Sequence, residues 1–490
     1  MATAAPLVAA SAAGRGSAAC GQSVHEIVEK VGFGPGQLLA VILACGPFLA
    51  EGLELLLVSL LSRSIHTDLD GGEVAEGLML SAVLAGAAVG NIVAGPLADL
   101  AGRQPMILLG YAVVIVASAV SSFANAVITL SSLRLIVGLG FGLAQPPAIA
   151  LMGELAPRQW RWVSIVGPAV LFCVGALCAV VMVTLEDAWF RDLSMLEWRL
   201  LLRCACIPMI ALGLAAVILL PESPQFLASS GDVALARDSL RALASSNRVP
   251  DVDVSFRSFD GLVPLWRLPA LGQMRDLLRM PALAITAPIC LGGAIVSFTL
   301  FGSAYVVPLV LTEELEEGLH SVAPASVLLL SFCAAGAVLG LGASWGSPVG
   351  RKSGIVASLV VSFAAALLFV SSISTAKIQE TWPHWGMLLA STLGLVVGPT
   401  FSCVLLSQAA ADVLPLAPSA CATSAWLALS HLGAVVAPLM LDRFKRTSGH
   451  SHSFFVLLAW IQIVCAILVL PVDLEQPRVG REPAKDAAGV

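Results

Sequence analysis

Charge is the scarcest thing in this chain: only 12% of its 490 residues are Asp, Glu, Lys or Arg, against about 25% in an average soluble domain. So few charges cannot coat an ordinary soluble surface, and a soluble globular fold is excluded. Basic charge is scarcer than acidic, 26 residues against 32 for a net charge of -6, which leaves no cationic face for nucleic acid. Tyrosine occurs twice, so any aromatic wall must be built from Trp or Phe. The eleven cysteines form no C-x-x-C and have no histidine at ligand spacing; nearly all lie in apolar runs, where they read as small buried hydrophobes. The Gly-rich string Gly138-Leu-Gly-Phe-Gly142 lies inside an apolar run with no strand before it, so a dinucleotide loop is excluded too. No nucleophile stands beside a base. Neither a metal, nor a cofactor, nor an enzymatic reaction is expected.

What the chain has instead is long apolar runs, in keeping with 58% hydrophobic residues. A membrane helix needs about 20 such residues. Runs of that kind lie at about 36–62, 77–97, 105–124, 127–149, 162–185, 200–220, 281–311, 324–345, 354–373, 385–409, 415–441 and 453–471. This pattern predicts an all-α polytopic membrane protein of twelve transmembrane helices in two six-helix pseudo-repeats, residues 36–220 and 281–471, joined by a polar central loop over 221–280. Residues 1–35, rich in Ala, Gly and Ser at their start, are expected to form a disordered tail, with an organelle transit peptide as the alternative for 1–30. Residues 472–490 form a short polar tail. Within the central loop, Gly231–Leu243 places Val233, Leu235, Ala236, Leu240 and Leu243 near one helical face, which predicts a short amphipathic helix. With the N-terminus taken as cytoplasmic, basic residues favour the cytoplasmic loops roughly two to one, so both termini and the central loop are placed there.

A charge inside the bilayer costs roughly 2.5–3.5 kcal/mol on insertion scales, so each asks for a partner or a hydrated cavity. Glu51 and Glu54 stand in the first run, three apart and on one helical face; Arg134 stands in the fourth. At about 1.5 Å per residue, Glu51 lies about 16 Å, Glu54 about 12 Å and Arg134 about 10 Å from the outer edge. All three therefore reach a common depth. Two acids against one base leave a surplus carboxylate for a proton or a cationic solute, more than a static ion pair requires. Four further residues inside the runs are candidate solute contacts: Gln145, Gln408, Trp426, and His431, which can titrate near neutral pH. Asn91, Ser297 and Thr299 are read first as interhelix hydrogen-bonding groups.

At the inner end of the second run stands Gly95-Pro-Leu-Ala-Asp99-Leu-Ala-Gly102-Arg103. Gly95 permits close helix approach, Gly102 a tight turn, and Asp99 with Arg103 a charged latch. After the fourth run Glu154, Pro157 and Arg161 are spaced for a similar latch. The second half repeats this pattern in eroded form. Gly350 and Arg351 follow Ser347, and Asp412 and Pro415 precede Ser419, so the latch is expected to be stronger in the first half.

These motifs carry a resemblance that covers about residues 36–471. The chain resembles transporters of the major facilitator superfamily, and within it the branch of synaptic vesicle 2-related, organic-ion and sugar-porter-like proteins. Trp198-Arg199 entering the sixth run, Pro221-Glu222-Ser223-Pro224 leaving it and the first-run Glu51-x-x-Glu54 are similar to that branch. The resemblance implies a monomeric secondary transporter that moves a small organic solute by alternating access, coupled to a proton or another ion. It also implies that Glu51 pairs with Arg134, while Glu54 is left for the solute. An organic cation or zwitterion is favoured; hexose is disfavoured, because the seventh run has no paired glutamines for sugar hydroxyls. The plasma membrane or a vesicle membrane is the expected site. A receptor or trafficking protein on the same scaffold is the alternative.

Overall fold

The computed structural model describes residues 22–69, 74–187, 193–249, 251–256, 282–313, 328, 331–336, 351–376, 382–413, 420–448 and 452–472. The helices, in chain order, are α1 (Val24–Val31), α2 (Pro35–Ala44), α3 (Gly46–Leu69), α4 (Val74–Ala101), α5 (Arg103–Ser121), α6 (Val127–Leu155), α7 (Val163–Glu186) and α8 (Trp198–Leu219). They continue with α9 (Pro224–Ser230), α10 (Val233–Ser246), α11 (Ala282–Glu313), α12 (Arg351–Ala376), α13 (Trp382–Val413), α14 (Ala420–Ser448) and α15 (His452–Val469). Among the described residues no strand forms, and 11 helical segments are long and apolar enough to cross a membrane. Of the expected span at 324–345, residues 328 and 331–336 are described, and they are helical. In a bilayer the backbone must satisfy its own hydrogen bonds, which is why apolar runs of this length become helices. Their outer faces stay apolar: Ile207, Leu214 and Ile218 of α8 are 63%, 63% and 78% exposed, a surface that suits lipid and not water.

Small residues set the packing inside the first half. An added Cβ at Gly138 of α6 would run into the Val83 carbonyl of α4, and one at Gly86 of α4 into the Leu135 carbonyl of α6. Gly138-Leu-Gly-Phe-Gly142 is thus a helix-crossing surface, and such small-residue contacts let membrane helices approach backbone to backbone. Gly52 of α3 and Gly175 of α7 meet in the same way, facing the Phe172 and Leu49 carbonyls.

The first span is two helices where one was expected, with the break at Cys45. Pro47 has no N–H to offer the carbonyl of Leu43, four residues back. The Tyr111 hydroxyl of α5 donates to that carbonyl at 2.8 Å instead.

One end of the bundle, here called the basal face, carries α1, α9 and α10. The expectation of a disordered tail over 1–35 is corrected for residues 24–31, which form a helix with a Ser23/Glu26 capping box; residues 1–21 lie outside the described residues. Val24, Ile27, Val28 and Val31 give α1 an apolar face, which is buried. Asn247, just after α10, fixes the chain entering α2: its Nδ2 donates to Gln37 Oε1 at 2.7 Å and to the Gly32 carbonyl at 3.2 Å, and its Oδ1 accepts from Gly36 N at 3.1 Å. The predicted amphipathic helix is α10, with Ala236, Leu240, Leu243 and Ala244 buried; Leu235, assigned to the same face, is 56% exposed.

Candidate functional site

The buried charges gather halfway along the bundle, and their pairing departs from the expected one. Arg134 Nη1 of α6 lies 2.5 Å from Glu54 Oε2 of α3, and Ser118 of α5 donates its hydroxyl to the other Glu54 oxygen. Glu51, expected on Arg134, accepts from Gln145 Nε2 at 2.8 Å and lies 2.9 Å from His431 Nε2 of α14. The reason is depth. α3 and α6 run antiparallel, and Glu54 sits one turn nearer the level of Arg134 than Glu51 does. All four of Glu51, Glu54, Arg134 and His431 are at most 4% exposed. His431 Nδ1 is 3.2 Å from Asn91 Nδ2 of α4 and 2.8 Å from its own helix's Leu427 carbonyl. The Glu51–His431 contact therefore joins the two halves of the molecule, whereas Glu54–Arg134 lies within the first.

Beside this bridge a small cavity opens between the halves. Gly52, Leu56, Leu80 and Phe172 line it from the first half, Phe301 and Tyr305 from the second. Phe172 meets Phe301 edge-on at 5.9 Å between centroids, and Phe301 lies 5.8 Å from the His431 ring. Trp426 and Gln408 are not among its described lining residues. Trp426 packs within the second half, where its Nε1 donates to Ser407 Oγ at 3.1 Å and its ring closes over Gly293. Gln408 is half-buried on α13. Of the solute candidates, Gln145 and His431 thus converge on Glu51, Glu54 is taken by Arg134, and Trp426 and Gln408 stand apart.

At the basal face Arg103, 1% exposed, joins three elements. Its Nη2 lies 3.0 Å from Glu154 Oε1 of α6 and 3.3 Å from Asp99 Oδ1 of α4, and its Nη1 donates to the Ala98 carbonyl at 3.1 Å. Phe226 of α9 lies 4.8 Å from the guanidinium, within cation–π range. Gly95 is buried on α4 one turn before Asp99. Gly102 has φ +106°, which favours glycine. Arg161, spaced as a partner for Glu154, instead places its Nη2 3.3 Å from His25 Nε2 of α1, while Arg103 takes Glu154. In the second half Gly350 lies outside the described residues, Arg351 begins α12 and Asp412 falls in the last turn of α13; the side chains of Arg351 and Asp412 lie outside the description.

Glu222, in the Pro221–Pro224 string, has a role that the motif alone does not display. Its carboxylate accepts from Arg103 N and Gln104 N, both at 3.1 Å, and from Ser223 N at 2.7 Å, so it caps the first turn of α5, where the helix dipole favours an anion. Burial pushes its carboxyl above the ordinary range against those N–H donors and the Arg103 charge. Gly102 makes room for it: a Cβ there would run into the Glu222 carboxylate, which comes from a segment distant in the chain. His25, also unassigned, accepts from Arg158 Nε at 3.0 Å; burial first, then the Arg161 charge, hold it below its ordinary value.

Residues 58–260 match the family model described as sugar (and other) transporter. The mouse protein SVOPL is 28% identical over 285 residues, 57% of this chain and 54% of that one. The synaptic vesicle 2-related protein of Bos taurus is 26% identical over 261 residues, 52% and 44% of the two chains. This chain thus spans about half the length of the curated relatives it matches. Among solved structures, the xylose transporter XylE from E. coli in a partially occluded inward-open state aligns with a TM-score of 0.64 at 17% identity, over 89% of this chain and 99% of that one. The human organic anion transporter MFSD10 aligns at 0.58 and 18%, over 91% and 100%. The fold is the same. The sequence matches make the chain similar to sugar and other transporters and to synaptic vesicle 2-related proteins, and the alignments show the fold that it shares with XylE and MFSD10.

Proposed function

We propose that the chain is a secondary active transporter that moves a small organic solute by alternating access, coupled to a proton. The observation that carries this reading is the Glu51–His431 contact at 2.9 Å, a buried titratable bridge between the two halves beside a cavity lined by both. Rocking of the halves must make or break such a bridge, so its protonation and the conformational change share one free energy. Arg134 is occupied by Glu54, which leaves Glu51 as the carboxylate for a cation; the roles given to the two acids are thereby exchanged. Leu56, Leu80, Phe172 and Phe301 at the cavity favour an organic cation or zwitterion with an apolar body. They offer little to a polyol, although xylose transporters are among the structural neighbours. The Asp99–Arg103–Glu154 cluster is the latch of the first half, Gly350, Arg351 and Asp412 belong to its counterpart, and both termini are cytoplasmic.

The test is uptake into proteoliposomes under an imposed pH gradient, with tetraethylammonium, glycine betaine and xylose as probes. The expected result is accumulation of one of the first two and not of xylose, with Glu51→Gln lowering gradient-driven accumulation and solute exchange alike by about tenfold or more, because Glu51 serves both the bridge and the solute. Accumulation of xylose alone would overturn the solute class. Full accumulation by the Gln variant would overturn the coupling.

A further inference from the structure

The bridge holds more information than its contact distance. His431 has an acceptor at each ring nitrogen: Glu51 Oε1 at 2.9 Å from Nε2, and the Leu427 carbonyl at 2.8 Å from Nδ1. A neutral imidazole carries one N–H and can satisfy only one of them; an imidazolium satisfies both. The third neighbour, the Asn91 amide 3.2 Å from Nδ1, fits the same state. Its Oδ1 is buried with no hydrogen-bond partner, and turning the amide by a half-rotation presents that oxygen to Nδ1–H. Charge agrees with hydrogen bonding. Glu51, Glu54 and Arg134 together leave one negative charge in the middle of the bundle, and a protonated His431 cancels it. The groups that face the ring are Glu51 from α3, Asn91 from α4 and the apolar Phe301 from α11. Beyond Glu51 stand Gln145 of α6 and the Cys403 thiol of α13.

We propose that His431 is the proton carrier of this protein, held as an imidazolium between Glu51 and the Leu427 carbonyl, with Asn91 as its positioning residue. On the transport reading given above, a cationic solute that reaches Glu51 replaces that charge: the solute cation pairs with the carboxylate, His431 becomes neutral, and one proton leaves to water. The exchange conserves charge and makes the coupling an antiport of proton against organic cation.

The carrier can be tested without any solute. In lipid nanodiscs, nitrogen-15 NMR of the histidine-labelled full chain at neutral pH should show one imidazolium with both ring nitrogens protonated that disappears in His431→Gln. In Glu51→Gln the same signal should become that of a neutral ring, and Asn91→Leu should shift its titration to lower pH. A neutral His431 in the wild-type chain would overturn the proposal, and so would an imidazolium unaffected by Glu51→Gln. Should His431→Gln fail to fold, the Glu51 and Asn91 variants still assign the signal. The transport arm is separate: addition of tetraethylammonium to the nanodisc sample should release protons and neutralise His431. An imidazolium that persists with bound cation overturns the antiport while leaving the carrier in place.

Discussion

At the turn between α4 and α5, one missing side chain allows a carboxylate to do the work of a helix cap. A Cβ on Gly102 would collide with the Glu222 carboxylate; without it, Glu222 reaches the N–H groups of Arg103 and Gln104. Glu222→Ala uncovers those donors and should cost about 1–2 kcal/mol in thermal unfolding of the purified protein. Glu222→Gln separates hydrogen bonding from charge. Because burial raises this carboxyl above 4.5, its contribution is fully present below that pH and is lost as the pH rises through the raised value. Stability of the wild-type chain should therefore decline as the pH climbs from 4.5, and the Gln variant should decline less. An equal slope in both would show that the carboxyl does not titrate in this range.

At the scale of elements, α1 is attached through a titratable side chain. His25 Nε2 accepts from Arg158 Nε and lies 3.3 Å from an Arg161 nitrogen, with Glu29 Oε1 at 3.5 Å. Glu29 also accepts from Arg158 N at 2.7 Å. With its folded value held below 6.5 by burial and the arginines, His25 stabilises the docked helix above 6.5, and that stability is lost as the pH falls through the folded value. Hydrogen exchange over residues 24–31 should speed up on acidification below 6.5 relative to α10, and His25→Gln should remove the change. The existence of α1 was legible at short range in Ser23-x-x-Glu26 but masked by the Ala, Gly and Ser composition just before it. The break at Cys45 was likewise present in Gly46-Pro47. The span lengths needed only a count of apolar residues. The partners of Glu51 and Glu54 were different, because they depend on how α3, α6 and α14 are rotated about their axes, and no one-dimensional pattern encodes that. His431 lies 380 positions from Glu51, and only the packing of α14 against α4 brings it there.

Across the whole molecule the halves touch at the middle and on the distal side. Ser59 of α3 donates to the Tyr305 carbonyl at 3.0 Å, and Ser81 of α4 to the Val435 carbonyl at 2.9 Å. If alternating access operates, these contacts open once per cycle. Cross-linking Ser81→Cys to Val435→Cys should abolish uptake while each single variant retains it, and reduction should restore it. Uptake that continues in the cross-linked pair would mean that the halves do not part there.

The glycine contact between α3 and α7 has a mechanical consequence. Where two helices meet through carbonyls at Gly52 and Gly175, no side chain lies between them to bend or repack, so the pair is stiff in both torsion and sliding. Glu51 and Glu54 are therefore mounted on a rigid beam. A force applied at the bridge is not absorbed locally by rotation of α3 but is delivered to the half as a whole, with the distal hydroxyl contacts as the compliant joint.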